Sequence, residues 1–283
     1  MHKSVMAAMA AASLLALSAC RQTTVNGNAT GNATAENASA AAAGDVISGT
    51  WKADLSTVQI EQQPDQFLLQ GGQYSCKTCP SPYTVAADGA FHAINGPYAD
   101  HVAIKVVDDH TILRTSQKGA RQIGETKITV SADGKMLTAE FTDTSTPNAP
   151  AVKGKYTETR VAPAPAGAHL VSGSWKPAKI ENVSDEGLTV TYKLDADTLH
   201  MSTPAGQSFD AKLDGTDAPI KGDIAGTTAS VKKTGDNSFE ETDKRDGKVV
   251  GIGTFTVGAE GKMAVIFDDK VRKQITKYVA NKQ

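Results

Sequence analysis

The chain has 283 residues, 29 basic against 31 acidic side chains and a formal net charge of −2. With no Lys/Arg-rich stripe and no interleaved aromatic platform, that balance excludes a nucleic-acid partner. Aromatic residues are only 5% of the chain, so any packed interior must come mainly from Val, Ile, Ala and Leu. Lys3 precedes an apolar run from Val5 to Ala16, broken only by Ser13. A spanning helix needs about 20 apolar residues. This run is shorter and fits the hydrophobic part of a secretory signal, which is placed at residues 1–19.

The run ends in Leu17-Ser18-Ala19-Cys20. These four residues and their context resemble the lipobox of bacterial lipoproteins, in which the cysteine is acylated and becomes the new N-terminus. The alternative is an ordinary signal peptide with a chance cysteine. The resemblance implies that Cys20 carries palmitate-type acyl chains and that the partner of this end is a membrane, with each buried CH₂ contributing about 0.8 kcal/mol. Arg21 follows where an Asp would favour inner-membrane retention, so the expected location is the outer membrane of the cell envelope, facing the periplasm. Residues 20–45 are rich in Asn, Ala, Thr and Gly, with Gly27–Thr30 repeated as Gly31–Thr34. Such a segment buries too little apolar surface to offset its chain entropy and is expected to be a disordered tether.

The remaining residues contain an internal repeat. Ser48-Gly49-Thr50-Trp51-Lys52 returns as Ser172-Gly173-Ser174-Trp175-Lys176, and these are the only tryptophans in the chain. Further on, Ile123–Met136 aligns with Val250–Met263, and Phe141-Thr142-Asp143 answers Phe267-Asp268-Asp269. Equivalent order over such a span indicates duplication of a whole domain. The junction Ala162-Pro163-Ala164-Pro165-Ala166-Gly167 reads as a semi-rigid linker. The expected parts are therefore 46–161, a linker at 162–168, and 169–283.

Each part reads as an antiparallel β-meander. Alternation marks strands at Val102–Val107, Thr126–Val130, Leu188–Leu194 and Gly253–Val257. Asp88-Gly89, Asp133-Gly134, Asp214-Gly215, Asp246-Gly247 and Glu260-Gly261 are hairpin-type turn dipeptides. Asp54–Leu69 is expected to hold a short helix interrupted at Pro64, and Asp269–Ala280 to be a strand. The fold class is all-β: two tandem antiparallel barrels behind a signal peptide and a tether.

Gly49-Thr50-Trp51 and Gly173-Ser174-Trp175, each opening a run of antiparallel strands, resemble the lipocalin and calycin pattern. The resemblance implies that each Trp closes one barrel end beneath a basic residue near the last strand, Arg160 in the first unit and Lys277 in the second. It also implies a cup for a small apolar ligand. The other lipocalin motifs are not visible and each unit is short. A barrel filled by its own side chains, with Trp51 and Trp175 as plugs, is the alternative reading.

Cys76-Lys77-Thr78-Cys79 is a lone pair that outside the cytoplasm is expected to form a structural disulfide. A thiol-exchange site would open a helix in a βαβ setting. Here Pro80-Ser81-Pro82 follows in an all-β context, and no histidine follows for haem. The spacing of His92, His101 and His110 permits a shared metal, but no fourth ligand is evident and separate surface imidazoles suit them better. No hydrolase elbow, phosphate loop, zinc-protease or dinucleotide motif occurs, and no cofactor is expected. The functional expectation is a non-catalytic, membrane-anchored envelope lipoprotein that binds a small apolar ligand or an envelope protein. The alternative is a periplasmic thiol/disulfide redox protein using Cys76 and Cys79.

Overall fold

The computed structural model describes residues 45–283. The expected signal sequence, Cys20 and the expected tether up to residue 44 lie outside the described residues. The first repeat forms β1 (Gly49–Ala53), β2 (Gln59–Glu61), β3 (Asp65–Gln70), β4 (Gln73–Cys76), β5 (Tyr83–Ala86), β6 (Asp88–Ala93), β7 (His101–Asp108), β8 (Thr111–Lys118), β9 (Arg121–Val130), β10 (Met136–Asp143) and β11 (Val152–Ala162). The second forms β12 (Gly173–Val183), β13 (Thr189–Asp195), β14 (Thr198–Ser202), β15 (Ser208–Lys212), β16 (Asp214–Pro219), β17 (Thr228–Gly235), β18 (Ser238–Arg245), β19 (Lys248–Val257), β20 (Lys262–Asp269) and β21 (Gln274–Lys282).

All pairings are antiparallel, and the strands make two nearly closed, barrel-like sheets. Their membership does not follow the repeat. The first barrel has the order β5-β4-β3-β12-β11-β10-β9-β8-β7-β6. The second has β15-β14-β13-β1-β21-β20-β19-β18-β17-β16, with β2 added on β21. Each repeat thus lends its Gly-x-Trp strand to the other's barrel. In the first barrel Trp175 pairs with Asp65 of β3 and Arg160 of β11. In the second, Trp51 pairs with Val190 of β13 and Lys282 of β21. The partition at 162–168 therefore marks the repeat and not the sheets, because one strand of each barrel crosses it.

The exchange has a physical basis in chain connection. β11 and β12 are separated only by residues 163–172, and strands consecutive in sequence tend to pair when the connection is short. Ser48–Lys52 and Ser172–Lys176 are nearly the same peptide, so either strand offers the same edge to either barrel.

Local chemistry accounts for the other departures from expectation. Asp54–Leu69 holds only a 3₁₀ turn at Leu55–Thr57, started by the Asp54 carboxylate accepting from Ser56 N at 2.9 Å. Beyond it the alternating Phe67 and Leu69 make β3 instead of a helix. Asp133-Gly134, Asp246-Gly247 and Glu260-Gly261 are turns between strands as read. At the second of these both residues have positive φ, 50° and 73°, as a two-residue hairpin connection demands. Asp88-Gly89 and Asp214-Gly215 instead open β6 and β16, each at a register shift, so there the glycine serves a bulge. Asp269–Ala280 divides into a turn and β21.

Two hydrophobic cores result. One gathers Tyr74, Ile104, Ile112, Ile128, Leu137 and Trp175 inside the first barrel. The other gathers Trp51, Tyr192, Phe209, Phe239, Phe255 and Val265 inside the second, and takes in Val152 and Val183 from β11 and β12. Those two valines weld the barrels at one seam. Both tryptophans are fully buried, and burying such a ring contributes about 4–6 kcal/mol.

Candidate functional site

The two Trp ends are built alike. Trp51 Nε1 donates to Ile47 O at 2.8 Å and Trp175 Nε1 donates to Val171 O at 2.9 Å. Ser48 Oγ accepts from Leu194 N at 2.7 Å, and Ser172 Oγ accepts from Leu69 N at 2.8 Å. Each tie crosses between repeats and fixes the exchanged strand. The basic residues are not placed as the sequence suggested. Arg160 lies 4.0 Å above Trp175, not over Trp51, because β12 and not β1 pairs with β11. Over Trp51 the cation is Lys282, at 5.3 Å, while Lys277 pairs with Glu61 at 3.1 Å on the outside. Gly49 and Gly173 have φ of 141° and 126°, and a Cβ on either would strike Lys282 or Arg160 respectively. The glycine of each Gly-x-Trp thus makes room for its cation.

Cys76 and Cys79 form a disulfide, with an S–S distance of 1.97 Å. Cys76 is buried in β4, opposite Phe67 and Tyr83. The three spaced histidines find separate partners. His92 pairs with Asp88 at 2.9 Å, His101 with Asp100 at 2.9 Å, and His110 with Val130 O at 3.0 Å. Among the described residues no group of three His, Cys, Asp or Glu side chains is placed to hold a metal ion.

The interiors carry polar groups that sequence reasoning missed. In the first barrel, Asp65, Arg114 and Glu158 point inward from three strands, next to Tyr74, Tyr83 and Tyr156. Glu158 is only 3% exposed. Burial first, and then the neighbouring Asp65 carboxyl, push its pKa up to about 8, so at neutral pH it holds a proton and shares it with Asp65. Thr78 Oγ1 donates to Asp65 Oδ1 at 2.9 Å. Burial raises the Tyr74 and Tyr83 phenols as well. The available signal was alternation: Tyr156, Glu158 and Arg160 share one face of β11, and Arg114 follows Ile112 on the core face of β8.

The strand registers match these positions to the second barrel. Arg114 opposes Thr126 as Glu241 opposes Gly253, and Leu137 opposes Glu158 as Met263 opposes Ala280. In the same way Asp65 corresponds to Val190, Tyr74 to Leu199, Cys76 to Met201 and Tyr83 to Phe209. The second interior is more apolar at these positions, but Glu241, 4% exposed and next to Tyr192 and Tyr278, and Asp243, 2% exposed, share the inward face of β18. Burial, and secondarily Glu241, raise both phenols.

Each barrel keeps a small space open to water. In the second it is about 90 Å³, walled by Val190, Met201, Phe255 and Val265, with Tyr192 and Glu241 at its side. In the first it is about 100 Å³, bordered by Tyr83, Arg114 and Cys79 and by Tyr98 and Arg272. A water needs about 10–15 Å³, so each holds several waters or a short alkyl segment, well below the roughly 300 Å³ of a typical small-molecule pocket. The barrels are mostly filled, with a notch in each. The two notches share no lining residue, and a further small space bordered by Tyr98, Gln207, Phe267 and Arg272 lies between them. Arg245 Nη2 donates to Tyr98 Oη at 2.5 Å and its guanidinium lies 4.6 Å over that ring, while Arg272, from the β20–β21 turn, reaches the first barrel's space.

No protein-family model, curated protein or solved structure matches the chain.

Proposed function

We propose that this is a non-catalytic lipoprotein of the bacterial cell envelope, held at the outer membrane on the periplasmic side by an acylated Cys20. Its lipocalin-like second barrel takes a small apolar group. The observation that carries the binding reading is the water-open notch among Val190, Met201, Phe255 and Val265, whose size suits the end of an alkyl chain. A neutral ligand is favoured over an acid because Glu241 borders the same space. The redox alternative is weakened by the burial of Cys76 and by its place in a strand, away from any helix N-terminus that would lower a thiol pKa.

Calorimetric titration of the full-length protein with 1-hexanol tests the binding. Saturable binding is expected, and Met201→Trp, which fills the notch, should abolish it while leaving the unfolding midpoint within a few degrees. Unchanged binding in Met201→Trp would contradict the reading. For the anchor, metabolic labelling with an alkynyl fatty acid should mark the wild-type chain and not Cys20→Ala.

A further inference from the structure

We propose that the ligand whose alkyl end enters the second barrel carries a cationic, amine-type head, seated between the barrels among Asp223, Asp243 and Asp269. The inference rests on the apolar notch proposed above as a binding site and adds the head group to it. The three carboxylates line one small space of about 30 Å³. That space and the apolar notch share two walls, Gln207 and Phe267. A chain running out of the notch past Phe267 therefore arrives among carboxylates. The space has room for one or two waters, and so for an ammonium group.

Asp243 on β18 and Asp269 on β20 both pair with Gly251 of β19, so the two carboxylates flank a residue without a side chain. A Cβ there would stand 3.3 Å from Asp243 Oδ2 and 2.6 Å from Phe267 Cζ, and its absence keeps the gap open. Among the described residues Asp269 accepts only the amides of Val271 and Arg272, both through Oδ1 at 2.9 Å, and Asp223 only that of Thr227, through Oδ2 at 2.7 Å. One oxygen of each is left without a protein donor. A second feature is independent of the charges. Gln207 is 7% exposed and borders both spaces, and among the described residues its side-chain amide has no hydrogen-bond partner. A buried amide of this kind is costly unless a ligand group bonds it.

The charge count favours a cation. The charged groups facing the space are Asp223 from the β16–β17 loop, Asp243 from β18, Asp269 from the end of β20 and Arg272 from the β20–β21 turn, with Arg245 beside them on Tyr98 and Thr227. Three formal negative charges against two positive leave a surplus of one, which a single ammonium balances. Glu241 in the notch adds a charge of the same sign. A metal ion fits less well, because among the described residues no three His, Cys, Asp or Glu side chains are placed to hold one. An ammonium needs no such convergence, since each of its three N–H groups can find its own acceptor.

The test is calorimetric titration of the full-length protein at about pH 7 with hexylammonium, 1-hexanol and hexanoate. Hexylammonium is expected to bind at least about tenfold more tightly than 1-hexanol, and hexanoate more weakly than either. Asp269→Asn keeps an oxygen for the Val271 and Arg272 amides, so the turn is retained. It should cut the preference for hexylammonium to about threefold or less without changing the affinity for 1-hexanol. Met201→Trp should abolish binding of both. Equal affinity for hexylammonium and 1-hexanol would overturn the charged head and leave the apolar notch standing. Binding of neither would overturn both readings. A preference undiminished in Asp269→Asn, hexylammonium binding that survives Met201→Trp, or hexanoate binding as tight as hexylammonium would each overturn the proposal as well. The ligand series uses the unaltered protein, so the outcome does not rest on a variant's folding.

Discussion

The first and second barrels share a Trp plug, a strand order and a register, yet their interiors differ in kind. Where the first barrel has Asp65, Tyr74, Tyr83, Arg114 and Glu158, the second has Val190, Leu199, Phe209, Glu241 and Ala280. The comparison teaches that the plug and the interior are separable. Closure depends on Gly-x-Trp, its Ser and a cation, which both repeats keep. The inward positions midway along β3, β8 and β11 are not needed for closure: they carry three ionisable side chains in the first barrel, and two hydrocarbon side chains and Glu241 in the second.

Truncating the plugs is expected to give the largest effect and tests what is shared. Trp51→Ala and Trp175→Ala should each cost about 3–5 kcal/mol. Hydrogen exchange should show the damage crossing the repeat boundary: Trp51→Ala speeds exchange in β13 and β21, and Trp175→Ala in β3 and β11. Damage confined to the mutated repeat would break the comparison.

Next comes the pH dependence that Glu158 gives the first barrel. Glu158 has a folded pKa above its unfolded value, so the folded state holds a proton that the unfolded chain has lost. Its contribution to stability is therefore full below about pH 4.5, falls as pH rises to about 8, and is level beyond, with a total on the order of 5 kcal/mol. Glu158→Gln, which can still donate to Asp65, should flatten that slope in chemical denaturation. A slope that survives in Glu158→Gln would sink the assignment.

The two cations should then separate. Arg160 donates to Gly134 O at 2.5 Å, Ser172 O at 2.5 Å and Leu170 O at 2.6 Å, whereas exposed Lys282 reaches only Val46 O at 3.4 Å. Arg160→Met should cost about 2 kcal/mol and Lys282→Met no more than about 0.5 kcal/mol. Equal losses would show that ring stacking, and not the carbonyl contacts, matters. Smallest is the disulfide, which only the first barrel has. Its short loop limits the loss in Cys76→Ser/Cys79→Ser to about 2 kcal/mol or less, and thermal unfolding checks it.

Much of this architecture was legible in the sequence. The repeated Ser-Gly-x-Trp-Lys, the alternating Thr126–Val130 and Gly253–Val257, and the Asp246-Gly247 turn all announce their elements through strictly local chemistry. The strand exchange was harder to see for the same reason. Two nearly identical peptides cannot declare which barrel each completes, and that choice follows from the short 163–172 connection and its preference for a neighbouring strand. Assigning Arg160 to Trp51 failed on this point alone. The ionic cluster was hidden differently: Asp65, Arg114 and Glu158 are dozens of residues apart and meet only once the sheet closes.

The exchange itself is tested most directly by a cross-strand bond between repeats. Thr50 and Thr191 face each other on β1 and β13, with hydroxyl oxygens 2.9 Å apart. In monomeric Thr50→Cys/Thr191→Cys, peptide mapping without reductant should find the two introduced thiols joined. Two free, alkylatable thiols in the folded monomer would contradict the exchanged arrangement.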